Sequence, residues 1–566
     1  MSARRVVLLV LLGLAMLPYF VGLGTSSLWD ANEAFYAQTP REMLAASDPI
    51  TPSFNFQLRF NKPVLPYWTV AAFYKVFGVS ERSERLPIAI GAMVLVGVAF
   101  GLGRLVSSTE GGLLAALVLA TTPRLLLFAR RIIIDVHMAM FAALILLCFA
   151  LAEARPPASA EGFGAPMQAR RKYLVLMYIA AGLGTLTKGP IAVLLPALAF
   201  FVYLIVERRI RDLSRMMLPL GALIWAAIVL PWYALVYREH GWEHILSFVV
   251  GENLVRYSQP IGAEGRGFLF YLPVMMGDLF PWSVLLPFAM WFALRDQRVN
   301  PFGRIGRLLV IWVVTIVAFF SFSQTKEDLY ILPIVPAEAA LIGVWMAAGF
   351  AGSPTRQLRS GAEKRAWLGG LRWNMILAGC ALLLAGTGVF WLFVQPGRYS
   401  LRGMGPMAAL LVGSGIAVMA ASASRRLFAA TAVLCAGLIA GAWVIVLVTL
   451  PDFERYKPVR PFAAMIQERA SPDAIVGHYR FALPTMVYYL QRPIMEVVDA
   501  DHLRSTFRSS SDVYFLMPEA EYLAVKDSFP VPTYVLARRP LFDIKPINFL
   551  EGDALPEMLL ISNRPE

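Results

Sequence analysis

Apolar runs long enough to cross a bilayer recur along most of the chain, and they constrain its fold more than any other feature. They cover about 6–23, 86–105, 111–128, 136–153, 173–187, 189–206, 216–236, 268–293, 308–323, 329–349, 373–395, 405–423 and 427–450. A helix needs about 20 apolar residues to cross the hydrocarbon, because only a helix satisfies its own backbone there. The pattern predicts a multi-span α-helical membrane protein with about thirteen transmembrane helices. Charge usage agrees: 16% of the 566 residues are charged, against about 25% in soluble chains.

The formal charge of +13 would suit nucleic acid in a soluble chain. Here most of the excess sits in short loops between spans, which is the positive-inside pattern. With the N-terminus cytoplasmic, the groups at 155–172, 208–215, 295–307, 356–365 and 425–426 all fall on cytoplasmic loops, and the C-terminal tail lies on the far side. No nucleic-acid partner is expected. Arg4-Arg5 before Val6–Gly22 read as an uncleaved signal anchor. Cys148, Cys380 and Cys435 lie inside apolar runs and offer neither a disulfide framework nor metal-ligand spacing.

Two parts do not read as membrane. The first extracytoplasmic loop, 24–85, carries apolar residues at helical spacing over 32–46 and 63–77, which predicts two amphipathic interfacial helices. From 452 to 566 the composition is that of a soluble domain. Helical patterns cover 459–470 and 519–528, and strand-like runs cover 474–480, 486–490, 513–517, 533–537 and 558–562. Together they predict a small extracytoplasmic α/β domain behind a membrane domain at 1–451. The Pro- and Ala-rich stretch 155–169 reads as a cytoplasmic connector.

Candidate chemistry lies in charges that the positive-inside rule does not explain. Arg59, Lys62, Arg130, Arg131, Lys188, Arg238, Arg256, Lys326, Arg398 and Arg402 gather at the extracytoplasmic face. Lys188 interrupts two apolar runs, where an ionisable group costs a few kcal/mol unless paired or facing a cavity. Single members of this set can snorkel to headgroups; as a set they suit a cavity for an anion, with phosphate the natural candidate. Carboxylates accompany them: Asp30, Glu33, Asp135, Glu252 and Glu327-Asp328. Asp135 also fits a plain helix N-terminal carboxylate, and Asp30 a turn or cap. His240 and His244, spaced i, i+4, are the only metal-ligand pattern, and solvated interface histidines are the default reading.

Several motifs in order then carry a resemblance: Leu28-Trp-Asp-Ala-Asn-Glu-Ala-Phe-Tyr36, Arg59-Phe-Asn-Lys-Pro63, Asp135, Leu186-Thr-Lys-Gly189, Leu230-Pro-Trp232, Glu252-Asn-Leu-Val-Arg256, and Lys326 with Tyr330-Ile-Leu-Pro333. The chain resembles the polyprenyl-phosphate-dependent glycosyltransferases of the C-type membrane fold. The aminoarabinose transferases of lipid A are the nearer branch and the protein O-mannosyltransferases a more distant one. The resemblance implies a polyprenyl-phosphate-linked sugar donor whose phosphate is held by Lys62 and Arg256, with Lys188, Lys326 and Arg59 as further candidates. Asp30, Glu33 and Asp135 become acid/base candidates, and Asn32, Glu252 and Tyr330 further site residues. Asn32 stands where the aminoarabinose enzymes carry an acid, and Asn61 where they carry Glu. The implied reaction inverts the anomeric carbon, takes a lipid or cell-envelope glycan as acceptor, requires no cofactor, and runs at a bacterial inner membrane. A divalent metal is possible but not expected. A protein O-mannosyltransferase is the alternative enzyme; a lipid or glycan transporter and a non-catalytic envelope assembly protein are alternatives of other classes, although the chain shows no repeated halves.

Overall fold

The computed structural model of the chain describes residues 2–30, 32–154, 167–259, 266–295, 303–350, 361–394, 400–542 and 555–565. At Asn32, 167–169, Asn253, Leu254, Arg256 and 361–367 it describes the backbone alone. The side-chain expectations for Asn32 and Arg256 therefore lie outside the described residues, as do Arg398 and 155–166 of the connector.

Among the described residues, eight helices are long and apolar enough to span a bilayer, or up to ten if each of two bent helix pairs is one span. The expected count of about thirteen is not confirmed. Apolar composition alone does not register where a run breaks. The run at 111–128 is two helices, Thr109–Ala120 and Pro123–Ala129, bent by 66°. The run at 268–293 is Phe268–Asp278 and Trp282–Leu294, bent by 111°. Pro123 and Pro281 lie at these breaks, where a missing N–H ends the helical ladder. Ala3–Met16 and Ile191–Val206 have 14 and 16 residues, while Met167–Lys188 is charged at both ends.

Asp328–Gly349 is the central span. Its apolar residues face all directions, as expected of a helix with no solvent side, and it is buried along its length. A Cβ at Gly343 would meet the Ala115 backbone nitrogen at 2.4 Å. This contact between small residues lets the central helix sit directly against Thr109–Ala120.

The first loop forms two helices, Asn32–Ala45 and Leu65–Phe77, where the spacing predicts them. Between them is a hairpin, Ser53–Phe54 against Gln57–Leu58, turned by Asn55 and Phe56 at φ 55° and 62°. Positive φ at both central residues matches the twist of a two-residue hairpin turn.

The C-terminal region folds as a five-stranded sheet in the order Met495–Val497, Ile475–Tyr479, Val513–Pro518, Glu557–Ser562, Tyr534–Pro540. The first three are parallel, and Glu557–Ser562 is antiparallel to both of its neighbours. One stretch corrects the sequence reading: 486–490, expected as a strand, lies in a helix, Thr485–Leu490. Its Val and Tyr residues favour strands only through packing. Here the Asp30 carboxylate accepts from the Thr485 N–H at 3.1 Å and from its hydroxyl, a helix-start contact that comes from the first loop rather than from local sequence. The sheet domain also holds that loop through Asn55, which exchanges two 2.8 Å hydrogen bonds with the Ile494 backbone.

Candidate active site

Lys188 closes Met167–Lys188 because Gly189 follows at φ 95° and Pro190 after it, a left-handed stop that few side chains tolerate. Asp135 stands in the first turn of Ile134–Glu153, where the helix dipole favours a carboxylate. The two meet: the Lys188 ammonium donates to Asp135 Oδ1 and lies 4.9 Å from the centre of the Tyr330 ring. Tyr330 comes from the tight turns of Asp328–Ile334 that open the central span.

A second pair lies on the same chamber. Lys62, just before the Leu65–Phe77 helix, donates to Glu252 Oε2 at 2.5 Å. Glu252 belongs to Ser247–Val255, a π-helical segment, and such widened turns often accompany functional sites.

All four charged groups line one cavity of about 450 Å³, whose other walls include Ile191, Leu194, Leu195, Phe248, Phe319, Phe320 and Pro333. Lys62, Asp135, Lys188 and Tyr330 also line an adjoining cavity of about 300 Å³ together with Tyr36, Ile132–Ile134 and Glu327. The space is therefore amphipathic, with paired charges where a polar chamber meets an apolar one. An anionic head on a hydrocarbon chain matches both walls, with cations for the charge and apolar surface for the chain.

The structure brings together Lys62, Asp135, Lys188, Glu252 and Tyr330, and it moves other sequence candidates out. Glu33 is fully buried with both oxygens occupied. It accepts from Arg85 Nε at 3.0 Å and Arg85 Nη2 at 2.9 Å, from the Trp29 N–H at 2.7 Å and from the Ile132 N–H at 2.8 Å. Burial alone would raise its carboxyl, but the Arg85 guanidinium and these donors hold it below the usual range. Asp30 is spent on Thr485. Neither Asp30 nor Glu33, the expected acid/base residues, is among the residues that line these two cavities. Arg59 stacks on Phe35 at 3.7 Å, and Lys326 donates to the Ser323 carbonyl at 2.5 Å; neither faces the chamber. Arg130 is spent on the carbonyls of Pro18, Val21 and Gly22.

His240 Nε2 lies 2.8 Å from the Thr51 hydroxyl, and the rings of His240 and His244 pack on Phe60 at 5.2 and 4.8 Å. Among the described residues no group of three His, Cys, Asp or Glu side chains is placed to hold a metal ion.

Sequence reasoning assigned no role to Tyr36, although it closes the first motif three residues after Glu33, the spacing that puts both on one helical side. Arg85 was also missed, hidden at the charged start of the Glu81–Val106 span.

Comparison with known proteins gives the same direction. A family model described as dolichyl-phosphate-mannose-protein mannosyltransferase matches residues 61–234, a stretch that contains Lys62, Asp135 and Lys188. The undecaprenyl phosphate-α-4-amino-4-deoxy-L-arabinose arabinosyl transferase of Pseudomonas aeruginosa is 31% identical over 347 residues, 61% of this chain and 60% of the relative. An uncharacterized protein of Aquifex aeolicus is 30% identical over 59% of this chain and 62% of its own length. The chain thus spans about three-fifths of these curated relatives. The crystal structure of ArnT from Cupriavidus metallidurans bound to undecaprenyl phosphate superposes with a TM-score of 0.77 at 24% identity, covering 100% of this chain and 99% of that one. The protein is a multi-span membrane protein similar in sequence to the aminoarabinosyl transferases, and it has the C-type fold of the polyprenyl-phosphate-dependent glycosyltransferases.

Proposed function

We propose that this protein is an integral-membrane glycosyltransferase that moves a sugar from a polyprenyl-phosphate donor to a lipid or cell-envelope glycan, with inversion. The observation that carries the reading is the junction of two lysine–carboxylate pairs with an apolar chamber. The lysines suit the phosphate, and the chamber suits the first prenyl units. In the reaction the acceptor oxygen bonds to the anomeric carbon as the bond from that carbon to the phosphate oxygen breaks, its electron pair leaving with the phosphate. Lys62 and Lys188 stabilise the charge where it grows. Asp135, beside Lys188 and open to both cavities, takes the acceptor proton. Entry of the phosphate between the lysines competes with their present carboxylate partners, so donor binding itself releases Asp135 for that task. The reaction needs no cofactor. The reading places the protein in a bacterial inner membrane with its N-terminus cytoplasmic and its sheet domain extracytoplasmic.

Purified, reconstituted protein given polyprenyl-phosphate sugars together with a lipid or glycan acceptor fraction should release free polyprenyl phosphate, and Lys62→Ala and Lys188→Ala should abolish release at unchanged expression. Full release in both variants overturns the site. The match of 61–234 to the mannosyltransferase model supports a second reading, a protein O-mannosyltransferase; release that depends on added protein rather than on lipid selects it.

A further inference from the structure

Among the described residues two membrane runs are broken, and the breaks meet. Thr109–Ala120 gives way to Pro123–Ala129, and Phe268–Asp278 gives way to Trp282–Leu294. Trp282 Nε1 donates to Thr121 Oγ1 at 3.0 Å, and Arg124 Nη1 lies 2.6 Å from Asp278 Oδ1. Each contact joins one break to the other. Arg124 Nη2 also pairs with Asp328, the first residue of the central span, so that span reaches the same junction.

Two carboxylates are sunk there. Glu338, in the first turn of Val335–Gly349, is fully withdrawn from solvent. Neither of its oxygens accepts a hydrogen bond, and among the described residues no cation pairs with it. Asp278 ends its half-helix at 3% exposure. Its oxygens likewise accept no hydrogen bond, and its counter-charge is Arg124. The charges of Asp278 and Glu338 act on one another. The dipole at the start of its own helix offers Glu338 about half a positive charge, which leaves both oxygens without a donor.

Buried charges are paired or hold a metal ion, because an isolated one is too costly away from water. Counting charge selects the ion. Asp278, Glu338 and Arg124 together carry one excess negative charge, while Asp328 is 47% exposed and served by water. One monovalent cation makes the buried group neutral; a divalent ion would only reverse its sign. The breaks can supply the remaining ligands, since helix ends leave carbonyl oxygens that no helical N–H reaches. Unwound carbonyls at discontinuous helices are a recurrent way for membrane proteins to hold sodium. We infer that a monovalent metal cation binds between Asp278 and Glu338 and fastens the two broken helices to the central span. Neither residue lines the cavities of the candidate active site, so the inference does not rest on the donor chemistry proposed there.

The test uses the full chain purified in neutral detergent, with sodium chloride compared against choline chloride at fixed pH and ionic strength. Sodium should raise the unfolding temperature, and radiolabelled sodium should bind at one ion per chain and be displaced by unlabelled sodium. Glu338→Gln keeps the shape of the side chain and removes its charge. That variant should lose the sodium-dependent rise and bind the labelled ion at least about tenfold more weakly. In choline it should unfold no lower than the wild type, because the uncompensated carboxylate is gone. A Glu338 that serves packing alone would instead lower the unfolding temperature equally in both salts. Direct binding of labelled sodium to the wild type keeps the test decisive should the variant fold poorly. Equal unfolding temperatures in the two salts with no bound label overturn the inference, as does a sodium effect that Glu338→Gln retains. Stabilisation by lower pH alone assigns the place to a proton, and stabilisation by magnesium that sodium does not reproduce assigns it to a divalent ion; either overturns the monovalent site.

Discussion

Lys62 Nζ lies 2.5 Å from Glu252 Oε2, and the pair ties the first loop to the π-helical segment 247–255 at the wall of the main chamber. Both side chains are more than four-fifths withdrawn from solvent, at 15% and 19% exposure, so the interaction is weakly screened. Lys62→Met is expected to lower kcat/KM by about 10²- to 10³-fold, the usual effect of removing one group that stabilises developing charge. Glu252→Gln should act oppositely on binding. Without its counter-charge Lys62 meets the phosphate more strongly, and affinity for free polyprenyl phosphate rises up to about tenfold, equivalent to about 1.4 kcal/mol. Binding isotherms on the two purified variants read both effects. Weaker binding in Glu252→Gln would show that Glu252 positions Lys62 rather than competing for it.

Asp135 separates chemistry from binding. Asp135→Asn keeps a group of the same shape beside Lys188 but removes the proton acceptor, so turnover should fall by about 10²- to 10⁴-fold. Donor affinity should be unchanged or slightly higher. Single-turnover release of polyprenyl phosphate, measured beside the donor dissociation constant, distinguishes this from a positioning role, in which binding and turnover would fall together.

Glu33 and Arg85 are predicted to fail differently. Arg85 also donates to the carbonyls of Leu23, Ser26 and Ser27, so the ion pair fastens the entry of the first loop onto the span that follows it. Glu33→Gln leaves the Arg85 charge buried with a weakened partner, and breaking a buried pair costs about 3–5 kcal/mol. The expected phenotype is a large drop in unfolding temperature and in yield, with per-molecule activity of the surviving protein nearly unchanged. The double change Glu33→Gln with Arg85→Met should recover part of the lost stability. A stable Glu33→Gln protein without activity would restore Glu33 to the catalytic machinery.

These residues also show what could be read from sequence. Lys62, Lys188, Asp135 and Glu252 stand out in the sequence because a charge at membrane depth or on the unexpected face needs a reason, whereas Tyr330 enters only through the motif that carries the resemblance. The two helices of the first loop were legible from spacing alone. The contacts of Glu33 were not legible because its partner, Arg85, is 52 residues away and sits at the charged start of a span, where a cation attracts no notice. The contact of Asp30 was hidden for a related reason: its partner, Thr485, belongs to the C-terminal domain. The helix at 485–490 was misread as a strand for want of that same contact. Span boundaries failed where Pro123 and Pro281 bend runs of unbroken hydropathy. For Glu33, Asp30 and the helix at 485–490 the missing information was a long-range partner; for the spans it was a local break.

Lys457 gives a pH prediction at the junction between the membrane and sheet domains. Its ammonium donates to Ser26 Oγ and the Ser27 carbonyl, both at 2.7 Å, lies 3.3 Å from Glu454, and faces the Trp29 ring at 4.1 Å. On the other side of the loop, Arg131 also stacks on Trp29 at 3.8 Å. Burial pushes Lys457 down from 10.5 to about 8. Below pH 8 folded and unfolded chains both hold the proton, and the cost of burying the charge is fully present. Between pH 8 and 10.5 the folded chain has released it while the unfolded chain keeps it, so stability rises with pH. The rise attributable to this group is about 3 kcal/mol across that window. Lys457→Gln, neutral throughout, should remove that share of the rise and flatten the unfolding temperature between pH 8 and 10. Identical pH profiles for wild type and variant would mean that Lys457 keeps its proton in the folded chain and that its bonds to Ser26, Ser27 and Glu454 outweigh its burial.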